Sequence, residues 1–165
     1  MATPAAVHYP YRTPHGVLTV GARGDAVCRI AFGDAQLGSE RTPSAATNRA
    51  STELLEYFSG KRGAFDLPLR LTGTAFQQQV WAEVARIPYG TATTAADVAA
   101  RIGHPGDHRA VGTALRRCPT PILIPTHRIV NTAGKPWGTG PESRLRGALL
   151  KMERAYAEKG GELRE

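Results

Sequence analysis

The chain has 165 residues, 41% of them hydrophobic and 21% charged, with a formal net charge of +7. That length can bury a core as one unit or as two small subdomains, no apolar run approaches a bilayer-spanning length, and the opening MATPAAVHYPYRTPHG lacks the basic start and apolar stretch of a secretory signal. A cytoplasmic, reduced setting is expected, since Cys28 and Cys118 form neither a CxxC pair nor a disulfide framework, and the positive balance favours a polyanionic partner, nucleic acid first, because Lys and Arg that neutralise phosphates release condensed counterions.

In chain order, GVLTVGARGDAVCRIAF from Gly16 reads as a hairpin, with Val17, Leu18 and Val20 before the turn and Val27, Ile30 and Phe32 after it. Cys28 falls in the second strand and is expected in the core. A polar, turn-rich stretch follows. Ala50, Leu54, Leu55 and Phe58 then share one helical face that stops at Gly60. AFDLPLRLTG alternates Phe65, Leu67, Leu69 and Leu71 as a strand would, and Pro68 assigns it to an edge. These elements predict an N-terminal domain over 1–72, a small antiparallel sheet with a helix.

The remaining domain, 73–165, is predicted to be mainly helical, which makes the whole chain α/β (α+β). Thr74 with Gln77 is a capping-box pattern, and Phe76, Val80 and Val84 recur every fourth residue until IPYG ends the helix. Thr94 with Asp97 marks a second start, with Val98 and Ile102 on the apolar face and Gly103 and Pro105 at the stop. Asp107 is a good N-cap for HRAVGTALRRC, so two short helices joined by GHPG form a helix-turn-helix layout. In the second of these, Ala110, Gly112, Thr113 and Ala114 are small, and Arg109, Arg116 and Arg117 lie towards its ends. Such a helix can press against a nucleic-acid groove while arginines meet phosphates, or it can pack tightly inside the protein; the residues alone leave both open. An apolar strand, ILI, follows, then the long loop PTHRIVNTAGKPWGTGPES and a last helix with Leu145, Leu149, Met152 and Tyr156 on one face. No GxGxxG element occurs, GTGP lacks the lysine of a phosphate loop, and HPGDH cannot set His104 and His108 on one helical turn, so neither a cofactor nor a metal is expected.

TGTAFQQQVWAEVARIPYG, then RAVGTALRRCPTPILIPTHRIV, then a Gly-rich loop and LLKMERA resemble, over nearly the whole chain, the O6-alkylguanine-DNA alkyltransferases. The resemblance implies a two-domain fold whose winged helix-turn-helix-like unit docks in the DNA minor groove and flips the damaged base. It implies a monomer that uses no cofactor and binds double-stranded DNA containing alkylated guanine. In that family the motif reads Pro-Cys-His-Arg-Val, and the Cys takes the alkyl group in a single transfer; this sequence has Thr126. The family's supporting His and Glu fall on His127 and Glu153, and its arginine finger on Arg109. Ala110, Thr113 and Ala114, with Thr94 and Ala95 at the preceding helix start, fall on the DNA-contacting surface, and Ile129, Thr139 and Gly140 on the lesion pocket. Three positions depart from the family besides Thr126: Ala95 stands where a Tyr helps rotate the nucleotide outward, Cys118 where an Asn supports the active-site turn, and Thr139 where the pocket has a Tyr, with Trp137 close by.

The exchange at 126 has a chemical meaning. A thiol sits a little above neutral in pKa, and a neighbouring His can shift it to the nucleophilic thiolate; a hydroxyl lies far above that range, at about 1.4 kcal/mol per pKa unit. Displacement at an alkyl carbon also favours soft sulfur. The leading expectation is therefore a lesion binder without alkyl transfer, as in alkyltransferase-like proteins, which hand the site to other repair proteins. The alternatives are a methylated-DNA-protein-cysteine methyltransferase, active through Thr126 or Cys118 or disabled by design at 126, and a redirected scaffold that binds DNA nonspecifically.

Overall fold

The computed structural model describes residues 3–159, which fall into two compact units, one ending at Thr72 and the other beginning at Gly73.

In the first unit β1 (Ala6–Thr13), β2 (Gly16–Arg23) and β3 (Ala26–Phe32) form an antiparallel meander, and β4 (Glu40–Arg41) adds to β1 in parallel, giving the order β3-β2-β1-β4. The sheet is thus mixed rather than antiparallel throughout. The hairpin is β2 and β3. β1 was not foreseen: Pro10 and the aromatic-polar alternation of AVHYPYRT mask a strand that pairs with β2 along its full length. One face carries Leu18, Val20, Ala22 and Ile30 and packs under α1 (Ala45–Phe58), whose Ala50, Leu54, Tyr57 and Phe58 are buried. Leu55, expected on that face, is the one large apolar side chain exposed among the described residues, because Tyr57 takes the inward position. Ser44 and Thr47 close a capping box at the start of α1. The stretch around Pro68 makes a single parallel bridge, Leu69 to Val27, instead of a strand: the Val27 N–H donates to the Pro68 carbonyl and the Arg70 N–H to the Val27 carbonyl, both at 2.9 Å. Cys28, on β3, is half-buried and not core.

The second unit is a cluster of α2 (Ala75–Val84), α3 (Ala95–Arg101) and α4 (His108–Arg116), followed by α5 (Gly140–Glu158). The Thr74 capping box with Gln77 is present as predicted, and it fixes the first turn of α2. Trp81, on the buried face of α2, donates its indole N–H to the Ala114 carbonyl of α4 at 2.8 Å, a specific tie in a core that also holds Val80, Val84, Val98, Val111 and Leu115. Thr94 caps α3 by accepting from the Asp97 N–H at 3.1 Å. Asp107 occupies the N-cap of α4 but makes no side-chain cap bond; its carboxylate lies 3.5 Å from His104 Nδ1 instead.

ILI is not a strand. Ile122 and Leu123 lie in a turn, Ile122 at φ 76, a conformation that strains a β-branched residue by about 1–3 kcal/mol. Pro125 (φ −77, ψ 64) then centres an inverse γ-turn closed by the Thr126 N–H on the Ile124 carbonyl at 2.7 Å. Thr126–Arg128 form one 3-10 turn, and β6 (Ile129–Val130) runs parallel to β5 (Thr93–Thr94). Strung over two prolines, the segment takes tight turns that its apolar run conceals. α5 begins at Gly140, within the stretch expected to be loop, with Pro141 in its first turn, and buries Leu149, Leu150 and Glu153.

Candidate active site and nucleic-acid interface

The 3-10 turn brings three consecutive residues, Thr126, His127 and Arg128, into the interior at 2%, 1% and 7% exposure, against α5. Glu153 of α5, fully buried, is the common partner of His127 and Arg128. His127 Nε2 lies 2.5 Å from its Oε2, Arg128 Nε and Nη2 donate to its two oxygens at 2.8 and 3.0 Å, and the Gly90 N–H donates to Oε1 at 2.9 Å. Arg128 Nη1 donates to the Ile87 carbonyl at 2.7 Å, and its guanidinium lies 5.6 Å from the Tyr89 ring centroid. Both come from IPYG, which in sequence is only a helix terminator. Gly90, at φ 76, is required there twice over: its conformation favours glycine, and a Cβ would stand 3.1 Å from the Ala157 Cβ.

Burial works against the charge on Glu153, but the hydrogen bonds from His127 and Arg128 hold its carboxyl down to about 2. Burial lowers the pKa of His127 despite the carboxylate beside it. The reason is charge balance: Arg128 already neutralises Glu153, and a second buried cation would be uncompensated. Neutral His127 facing an ionised carboxylate carries its proton on Nε2, which leaves Nδ1 as the basic nitrogen. Burial and the Glu153 charge push the Tyr89 hydroxyl up to about 12.

Thr126 is held by its main chain. Besides the γ-turn bond, its carbonyl accepts from the Trp137 indole N–H at 2.8 Å. Cys118, the other candidate acceptor, is buried, and burial pushes its thiol up to about 11, far from an activated thiolate.

On the helix-turn-helix, Arg109 and Ala110 are exposed on the first turn of α4, and Arg116 and Arg117 at its end. Thr113 is half-buried; its hydroxyl donates to the Arg109 carbonyl at 3.3 Å and accepts from Arg116 Nη2 at 3.1 Å. Ala114, at 1% exposure, belongs to the core, so the small face of α4 divides between the two roles that the sequence leaves open. Beside it is a groove of about 320 Å³ whose wall includes Thr94, Ala95, Leu115, Ile129, Trp137 and Gly138. Ile129, Thr94 and Ala95 thus come together. Thr139 and Gly140 lie exposed at the start of α5, outside the groove wall, and Trp137 and Gly138 stand there instead. Tyr89, Gly90, Trp137 and Arg146 are the residues of this region that sequence reasoning missed or merely noted in passing. No helix among the described residues is long and apolar enough to cross a membrane.

Comparison with known proteins agrees with this geometry in both units. Residues 7–71 match the 6-O-methylguanine DNA methyltransferase ribonuclease-like domain, and residues 75–155 match the DNA binding domain of the same enzyme family. The chain is 43% identical over 122 residues (73% of each chain) to the constitutive methylated-DNA-protein-cysteine methyltransferase of Bacillus subtilis. It is 36% identical over 154 residues (89% of this chain, 93% of the relative) to that of Mycobacterium tuberculosis. The crystal structure of Mycobacterium tuberculosis OGT in complex with DNA superposes with a TM-score of 0.84 at 33% identity, covering 91% of this chain and 94% of that one. A ribonuclease-like mixed sheet with its helix, followed by a helical DNA-binding unit, places this chain in the 6-O-methylguanine DNA methyltransferase family of DNA repair proteins.

Proposed function

We propose that this protein binds O6-alkylguanine in duplex DNA, with the lesion drawn into the groove beside α4, and that it does so without taking the alkyl group onto residue 126. The observation that carries the proposal is the contrast within one 3-10 turn. The buried His127, Arg128 and Glu153 network is complete, while the position it would serve holds Thr126. His127, held neutral by its burial, is a base of the strength that could draw a proton from a thiol; a hydroxyl lies too many pKa units higher for the same base to ionise it. DNA as partner is supported by the net charge of +7, by the exposed Arg109, Arg116 and Arg117, and by the DNA complex of the Mycobacterium tuberculosis relative. Extruding a base costs a few kcal/mol of unstacking, least at a damaged pair, so lesion preference does not require chemistry. Ala95 puts a methyl where a larger side chain would crowd the phosphate, which leaves recognition to depend on the groove and on Arg109.

A second reading, alkyl transfer, is favoured by the relatives, which are named as methyltransferases and match over most of the chain. One series of samples separates the two. Titration of paired duplexes with and without O6-methylguanine is expected to show tighter binding to the lesion, and intact-mass measurement of the same samples to show no added methyl. Equal affinity for the two duplexes sinks lesion reading; a mass gain of one methyl group establishes transfer.

A further inference from the structure

Thr126 is not part of the groove wall, whereas Trp137 is, and the Trp137 indole N–H is the group that reaches the Thr126 carbonyl. The indole is gripped from a second side. The Arg146 guanidinium lies over its ring, 3.5 Å from the centroid, and Arg146 Nη1 donates to the Trp137 main-chain carbonyl at 3.0 Å. Glu142 braces Arg146 at 3.6 Å. The following residue, Gly138, has φ 80, and a Cβ on it would come within 2.9 Å of Arg146 Nη1, so the close seat of the guanidinium needs a glycine. A cation stacked on an aromatic face and a hydrogen bond to a buried carbonyl together make the indole a fixed wall and not a loose side chain.

We infer that Trp137 is the residue that decides what reaches position 126: its indole stands between the groove and the Thr126 side chain, so a base seated in the groove meets the ring and not residue 126. Attack on an alkyl carbon needs the nucleophile about 3–3.5 Å away and in line. The indole takes up that approach. Exchange of Thr126 for a thiol would therefore leave the new nucleophile shielded. The inference rests on the groove being the lesion site, but its test needs neither DNA nor lesion, so it can fail while lesion binding stands, and the reverse.

The test compares Thr126→Cys with Thr126→Cys combined with Trp137→Ala. Both are treated with iodoacetamide, whose carbon forms a bond to the thiolate sulfur as iodide leaves, and labelling at position 126 is followed by peptide mass. Cys118, buried in the same unit, is the internal gauge of unfolding. The double variant is expected to label at position 126 at least about tenfold faster than the single one, with Cys118 protected in both. Equal rates at 126 with Cys118 protected overturn the inference. If Trp137→Ala exposes Cys118 as well, Trp137→Phe replaces it. That change keeps the ring but removes the N–H that pins it, and labelling of position 126 several-fold faster than in the single variant is expected; an unchanged rate overturns the inference equally.

Discussion

Glu153 is the residue on which the site turns. It accepts from Gly90, His127 and Arg128 while fully buried, so its ionised form belongs to the folded state and its protonation is coupled to unfolding. Its carboxyl is held near 2 against an ordinary 4.5, so its contribution, on the order of 3 kcal/mol, is complete above pH 4.5 and is lost as pH falls towards 2. His127 adds to this in the same direction: its pKa is lowered in the fold, so the unfolded chain binds the extra proton and stability declines as pH falls below 6.5. Urea denaturation midpoints from pH 8 to pH 3 should therefore fall in two stages, a shallow one below 6.5 and a steeper one below 4.5. Glu153→Gln should flatten the second stage and, because it leaves the Arg128 charge buried without its counterion, destabilise by about 3–5 kcal/mol at pH 7. His127 and Glu153 were legible in the sequence only through the motif around them. Gly90 and Tyr89 were not, since a main-chain donor and a ring face leave no mark in sequence beyond a turn.

Elements were legible where a local rule fixes them. α2 starts where Thr74 and Gln77 say it should, because both halves of the capping box lie within four residues of each other. Asp107 has the right residue type in the right place, yet its carboxylate is turned to His104 and not to the α4 amides. The two caps should accordingly separate in a chemical denaturation series: Thr74→Ala should cost about 1 kcal/mol, and Asp107→Ala less than about 0.5 kcal/mol. A loss at Asp107 as large as that at Thr74 would mean that its carboxylate caps α4 in solution. Long-range pairing was the part that could not be read. β1 is a strand because β2 lies beside it, whatever Pro10 suggests, and the stretch around Pro68 has the alternation of a strand but only one bridge. ILI has strand composition, but the prolines on either side impose turns, and the turns are what point Thr126, His127 and Arg128 inward together.

For the molecule as a whole, the charge balance and the helix-turn-helix make one prediction. Arg109 is exposed on the first turn of α4, and if it meets DNA there, Arg109→Ala should weaken duplex binding by at least about 1 kcal/mol. A reduction of about 0.9 in the slope of log affinity against log salt identifies a phosphate contact, whereas a loss confined to the lesion duplex identifies a contact at the flipped base. Division of the chain into a sheet unit and a helical unit was readable from the change in periodicity near residue 72, and the family from the order of its motifs. The groove wall was not, because Trp137 comes to it from a loop whose conformation depends on an arginine nine residues further on. The anchoring of Thr126 by its main chain bears on what the position tolerates. Its N–H is tied to Ile124 and its carbonyl to Trp137, so the two bonds that shape the turn do not involve the side chain at 126. Residue 126 can therefore be exchanged between small side chains without dismantling the scaffold, and the fold does not depend on whether a nucleophile stands there.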